Sequence, residues 1–265
     1  MSPRIFLLSD HTGLTIGAMA RALLAQFPDL SPQYLERPFL DEPDRLQRVA
    51  EEIRADPHCL VFSSLADPEA RAHIEPHCPG RFFDVFATYT PLLARRLATP
   101  ARPATGRLHG IDELENYQAR LQAVDYSLRH DDGAAPQGYP EADLILVGVS
   151  RCGKTPTCLY LALQHGLKAA NHPLTAEELH ERHLPAPIAP FQSKLVGLTI
   201  DPWQLHKIRI QRRPQGTYAR LEQCQWEVER AQALFRRHRI PTLDTTAISV
   251  EEIATRILTQ GSTPP

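Results

Sequence analysis

Residues 148–155 read GVSRCGKT. A glycine, four residues, then Gly-Lys-Thr, placed between an apolar strand-like run and a helix-like segment at 154–165, is the spacing and setting of a phosphate-binding loop. In such a loop the backbone amides and the helix N-terminus point at phosphate oxygens, and the lysine adds the formal charge. Gly148, Val149, Ser150, Arg151, Cys152, Gly153, Lys154 and Thr155 are therefore the expected nucleotide-binding residues. Lys154 supplies the scarce positive charge, and the Thr155 hydroxyl can ligate Mg²⁺. Of the 29 basic residues only Lys154, Lys168, Lys194 and Lys207 are lysines, so one at the motif position carries unusual weight. Pro156 agrees with a helix starting here, since proline is tolerated in a first turn. The Lys154 ammonium is expected to face solvent at the anion site.

Three carboxylates could complete such a centre. Asp131 and Asp132 lie in HDDG, residues 130–133, at the end of a helix-like run. They could hold Mg²⁺ or accept the proton of an attacking hydroxyl, or be solvated groups in a glycine turn that ends a helix. Asp201 terminates the apolar stretch GLTID, where many phosphate-loop enzymes keep the acid that orients Mg²⁺. Before Pro202 it is equally an ordinary helix start, and both roles can hold at once. Ser9 to Gly13, SDHTG, follows a first strand and opens a helix; its hydroxyls and amides could meet a phosphate or adenylate group, or merely cap the turn. Arg209, Arg212 and Arg213 read as contacts to phosphate or to an acidic surface, or as a solvated basic face. His58-Cys59 and the His73–Cys78 stretch have metal-like composition, but Pro76 breaks the helix that would align His73 with His77. Cys152 is either a reactive thiol at a helix N-terminus or a loop position without chemistry.

The stretch ADLILVGVSRCGKTPTCLYLA resembles the signature of the bifunctional kinase–pyrophosphorylase family, the regulatory proteins of phosphoenolpyruvate synthase and of pyruvate, phosphate dikinase. SDHTGLT, YQARLQAVDYSLRHDDG, GLKAANHPL, VGLTIDPWQLHKIR and SVEEIATRIL resemble further family blocks in family order, so the resemblance spans essentially the whole chain. The CGKTPT form together with HDDG is most similar to the synthase branch. The resemblance implies a protein-threonine kinase that uses ADP and leaves AMP. It also implies a phosphorylase that reverses the modification with inorganic phosphate and releases pyrophosphate. On this reading Lys154, Asp131, Asp132, Asp201 and Arg151 are catalytic, Thr155 and Asp201 hold Mg²⁺, and the partner is phosphoenolpyruvate synthase. A cradle for a β-phosphate can also hold free phosphate as a nucleophile, so one anion site would serve both directions. The loop spacing by itself also suits an ATP-dependent small-molecule kinase or a non-catalytic sensor of ADP and AMP.

These residues need a scaffold, and the hydropathy pattern supplies an α/β one. Short apolar runs at 4–9, 33–39, 60–64 and 81–86 alternate with helical periodicity near 14–27, 43–55, 67–75 and 90–98. An amphipathic helix is expected over 111–130 with Leu114, Tyr117, Leu121, Val124 and Leu128 on one face. After a Gly/Pro-rich break the alternation restarts: strands at 142–150, 166–171 and 194–201, helices at 154–165, 203–213, 217–239 and near the C-terminus. The expectation is a doubly wound parallel-sheet domain over 1–135 and a phosphate-loop domain over 136–265. The 111–130 and 217–239 helices would pack at an interface or in a homodimer contact. With 42% hydrophobic and 23% charged residues the chain can bury a core. A net charge of −2 and a pI near 6.6 argue against a nucleic-acid backbone binder. No apolar run approaches the roughly 20 residues of a membrane helix. Five scattered cysteines without C-x-x-C suit reduced thiols, and cytoplasmic location is expected.

Overall fold

A computed structural model describes residues 2–102, 114–212 and 216–260. The chain divides into two units between Ile111 and Asp112, both of the α/β class.

The first unit runs β1 (Arg4–Leu8), α1 (Leu14–Leu24), β2 (Gln33–Arg37), α2 (Pro43–Ala55), β3 (Leu60–Ser63), α3 (Pro68–Ile74), β4 (Phe82–Asp84) and α4 (Val85–Leu97). Its strands are all parallel, in the order β2-β1-β3-β4. Both faces of β1 are buried: Phe6 and Leu8 pack with Val49, Ile53 and Val61, while Ile5 and Leu7 pack with Ile16, Ala20 and Phe62. This is why the strand reads as a continuous apolar run rather than an alternating one. Asp67 caps α3 by accepting from the amides of Glu69 and Ala70, with Pro68 in the first turn. Asp84 caps α4 through the Ala87 amide, so this helix begins at Val85 and the expected strand over 81–86 shrinks to three residues.

The second unit runs α5 (Leu114–Arg129), β5 (Leu144–Gly148), α6 (Lys154–His165), β6 (Ala169–Pro173), α7 (Ala176–His180), β7 (Leu195–Thr199), α8 (Pro202–Arg212), α9 (Leu221–His238), β8 (Thr242–Asp244) and α10 (Val250–Gln260). Its sheet is also parallel, in the order β6-β5-β7-β8. The short elements α7 and β8 were not expected from the pattern.

The boundary set at 135 falls inside the second unit, because α5 packs against α6 and β6. The side of α5 that packs against its own unit is not the expected apolar face: Tyr117, Leu121 and Leu128 are 57%, 50% and 59% exposed, whereas Ala123, Tyr126 and Ser127 are buried. A Tyr126 hydroxyl that donates to the Gly138 carbonyl at 2.9 Å, and small neighbours, make a close contact that hydropathy undervalues. α9 buries Val228, Ala231, Leu234 and Phe235 in its own unit's core rather than reserving them for an interface. Among the described residues no helix is long and apolar enough to cross a membrane.

Candidate active site

The turn from β5 into α6 carries the GVSRCGKT residues. Gly148 is required by close approach: a Cβ there would lie 2.4 Å from the Leu198 carbonyl oxygen and 2.9 Å from Cys152 Sγ. At the other end Gly153 has φ 95° and opens α6, while Arg151 takes the left-handed conformation at φ 77° and is exposed. The loop is pinned at several points. Ser150 Oγ lies 3.0 Å from the Tyr218 hydroxyl, the Ser150 carbonyl accepts from Arg209 Nη2 at 3.1 Å, and the Cys152 carbonyl accepts from Thr245 Oγ1 at 3.0 Å.

Lys154 departs from expectation. It is 4% exposed, and its ammonium donates to the carbonyls of Gly148 at 3.0 Å and Val149 at 2.9 Å. The ammonium is held by the loop's own backbone carbonyls. Arg209 is corrected as well: it is neither a phosphate contact nor part of a solvated face. It is fully buried, paired with Glu227 at 2.6 Å, donates to the Tyr218 carbonyl at 2.9 Å and lies 4.1 Å over the Tyr218 ring. Its role is to brace the loop at Ser150. Arg212 is exposed, and Arg213 lies outside the described residues. Cys152 is buried, and burial pushes its thiol above its ordinary range, the opposite of the shift a reactive thiolate needs.

The two aspartates of HDDG sit in a short 3₁₀ turn after α5. Asp131 Oδ1 accepts from the Thr155 hydroxyl at 2.8 Å and from the Asn171 side-chain amide. The adjacent Asp132 is exposed, in the left-handed region at φ 49° and ψ 32°, with its amide donating to Asn171 Oδ1 at 3.1 Å. The turn is therefore joined to Thr155 at the start of α6, which a plain solvated helix end would not be. Asp201 stands exposed after β7 and spends Oδ1 on the Gln204 amide at 3.0 Å, capping α8. Its own amide donates to Thr246 Oγ1. The carboxylate set beside Thr155 is thus Asp131, while Asp201 is the helix start that the sequence allowed.

Beneath the turn lies a polar group that sequence reasoning passed over. Asn171 and His172 lie in β6; His172 Nε2 is 3.0 Å from a Glu178 carboxylate oxygen, and Nδ1 is 3.2 Å from the Tyr139 hydroxyl. Burial pushes the Tyr139 phenol up to about 12. Burial also pushes the Glu178 carboxyl up, but the His172 and Thr175 hydrogen bonds outweigh it and hold that group below its ordinary value. The available signal was the polar Asn-His pair at the end of an otherwise apolar strand.

SDHTG belongs to the first unit and the GVSRCGKT turn to the second. Ser9 Oγ accepts from the His11 amide at 3.1 Å, Asp10 Oδ2 accepts from the Ala66 amide at 2.9 Å, and Gly13 is left-handed at φ 76°. With Arg71 and Asp84 these residues line a cavity of about 990 Å³. Among the described residues no group of three His, Cys, Asp or Glu converges as a metal site, and Cys59 and Cys78 are buried thiols.

A family model described as kinase/pyrophosphorylase matches residues 5–258. A relative from Deinococcus radiodurans is 44% identical over 258 residues, spanning 96% of this chain and 93% of its own. One from Halorhodospira halophila is 45% identical over 262 residues, 97% and 96% of the two chains. One from Thiobacillus denitrificans is 46% identical over 253 residues, 96% and 97%. All three are provisionally named phosphoenolpyruvate synthase regulatory proteins.

Proposed function

The chain belongs to the kinase/pyrophosphorylase family, and from that premise we propose that it regulates phosphoenolpyruvate synthase by ADP-dependent phosphorylation of a threonine and phosphate-dependent, pyrophosphate-forming reversal. The observation that carries this reading is the 2.8 Å bond from Thr155 to Asp131, which joins the phosphate loop to the HDDG turn.

In the forward direction the hydroxyl oxygen of the target threonine attacks the β-phosphorus of ADP. The bond from that phosphorus to the α–β bridging oxygen breaks, AMP leaves, and the threonine proton passes to a carboxylate. Asp131 is committed to Thr155 and Asn171 through one oxygen. Asp132, exposed beside it, is the base in this reading. In reverse, an oxygen of inorganic phosphate attacks the phosphorus of the phosphothreonine. The bond to the threonine oxygen breaks, that oxygen recovers its proton from Asp132, and pyrophosphate leaves. Lys154 and Arg151 offset the phosphate charge in both directions. Thr155 and Asp131 place two hard oxygens side by side, a donor set that fits Mg²⁺ carried in with a nucleotide, with Asp201 as a further candidate ligand. When bound, the ion would neutralise phosphate charge.

The test is incubation with phosphoenolpyruvate synthase, Mg²⁺ and either ADP or ATP. AMP and phosphothreonine should form together with ADP, and later addition of phosphate should release pyrophosphate in step with dephosphorylation. Transfer from ATP alone, or loss of the group as free phosphate without pyrophosphate, would sink the reading.

A further inference from the structure

We propose that Asn171 is the positioning residue of this site: the side chain that forces residues 130–133 into the turn presenting Asp132. This rests on the reading above, in which Asp132 takes the threonine proton.

Asn171 lies on β6 and is 1% exposed, so its amide must find partners inside the protein. All of them belong to the turn or to the start of α6. Its Nδ2 donates to Asp131 Oδ1 and lies 3.4 Å from Thr155 Oγ1. Its Oδ1 accepts from the Asp132 amide at 3.1 Å, and its main-chain amide donates to the His130 carbonyl at 3.2 Å. One residue thereby bonds three successive members of the turn and neighbours the threonine of the phosphate loop.

Chemistry dictates the residue type. A carboxylate needs a donor opposite it and a backbone amide needs an acceptor, and only a primary amide offers both at this reach. An aspartate would lose the donor and set two carboxylates face to face. An alanine would lose both bonds. Asp132 is a non-glycine residue at φ 49°, in a region that costs most residues energy, and the Asn171 side-chain oxygen accepts from its amide in that conformation. Asn171 also occupies Asp131 Oδ1, which keeps that carboxylate on Thr155 and leaves the base role to its neighbour. It touches no reacting atom, and its effect is exerted through the turn.

Two variants of the full chain test this. Asn171→Asp keeps shape and volume; its kcat for threonine phosphorylation should fall about 10²–10³-fold, as for a displaced base, while the KM for ADP stays within about threefold. Asn171→Ala should speed amide exchange across 130–134 by at least about tenfold while α6 exchanges as in the wild type. Thermal midpoints measured alongside separate positioning from unfolding. A kcat near wild type in Asn171→Asp would overturn the proposal. So would parallel loss of kcat, ADP affinity and thermal midpoint, the mark of a purely structural role. Should the wild-type chain transfer nothing from ADP, the functional reading falls on that assay alone. The exchange arm still decides the clamp, and unchanged exchange across 130–134 would end it.

Discussion

Lys154 shows how far a motif can be read and where it stops. Its position was legible, because glycine spacing is local and constrains the backbone directly. Its resting contacts were not, since they depend on where the carbonyls of Gly148 and Val149 point after folding. Lys154→Ala should abolish both threonine phosphorylation and phosphorolysis. Because it strips two carbonyls of their donor, it should also lower stability by about 1–3 kcal/mol. Paired activity assays and thermal melts check this, and survival of either activity would separate the two directions into different sites. Asp132→Asn removes the exposed carboxylate's charge at constant size. Turnover should fall about 10²–10⁴-fold with ADP affinity nearly unchanged, read by single-turnover transfer beside nucleotide titration. Near-normal transfer would return Asp132 to a turn residue and shift attention to Asp201.

At the scale of elements, strands and most helices were legible because a strand buried on both faces, such as β1 or β5, is a plain apolar run. The buried side of α5 was hidden, since its contact uses Ala123, Ser127 and a hydrogen-bonded Tyr126 instead of large aliphatics. Arg209 on α8 was misread for a related reason. Nothing local announces that Glu227, on α9, will neutralise it. Arg209→Met leaves the Glu227 carboxylate buried without its partner, which should cost about 3–5 kcal/mol. Replacing Glu227 with Met as well should recover most of that stability. ADP affinity should stay reduced in the double variant, because the brace on the Ser150 carbonyl is still missing. Denaturant melts and ADP titrations on both variants decide it; full recovery of affinity would show that the loop needs no brace from α8.

On the scale of the molecule, alternating periodicities revealed an α/β chain, but the Gly/Pro-rich stretch after 130 drew the boundary too far along. Those residues form the HDDG turn and the connection into β5, so they belong to the second unit rather than to a linker. With the division at 111/112, the described residues bonded to the β5–α6 loop and to the 130–133 turn lie in the second unit. A fragment of residues 112–265 should therefore fold cooperatively and bind ADP within about threefold of the full chain. Circular dichroism melts and calorimetric titration test this; a fragment without a cooperative transition would refute the independence of the unit.

The two sheets have one strand order, β2-β1-β3-β4 and β6-β5-β7-β8. In each, the turn after the first strand stands where the order reverses, the place parallel sheets leave open for ligands. In one unit that turn is Ser9–Gly13, which has hydroxyls, an aspartate and a histidine; in the other it is Gly148–Lys154, with the chain's first lysine. The molecule thus contains its own matched control. Strand order is held constant while the turn is varied, so a difference in chemistry between the two turns rests on their side chains rather than on the order of the strands.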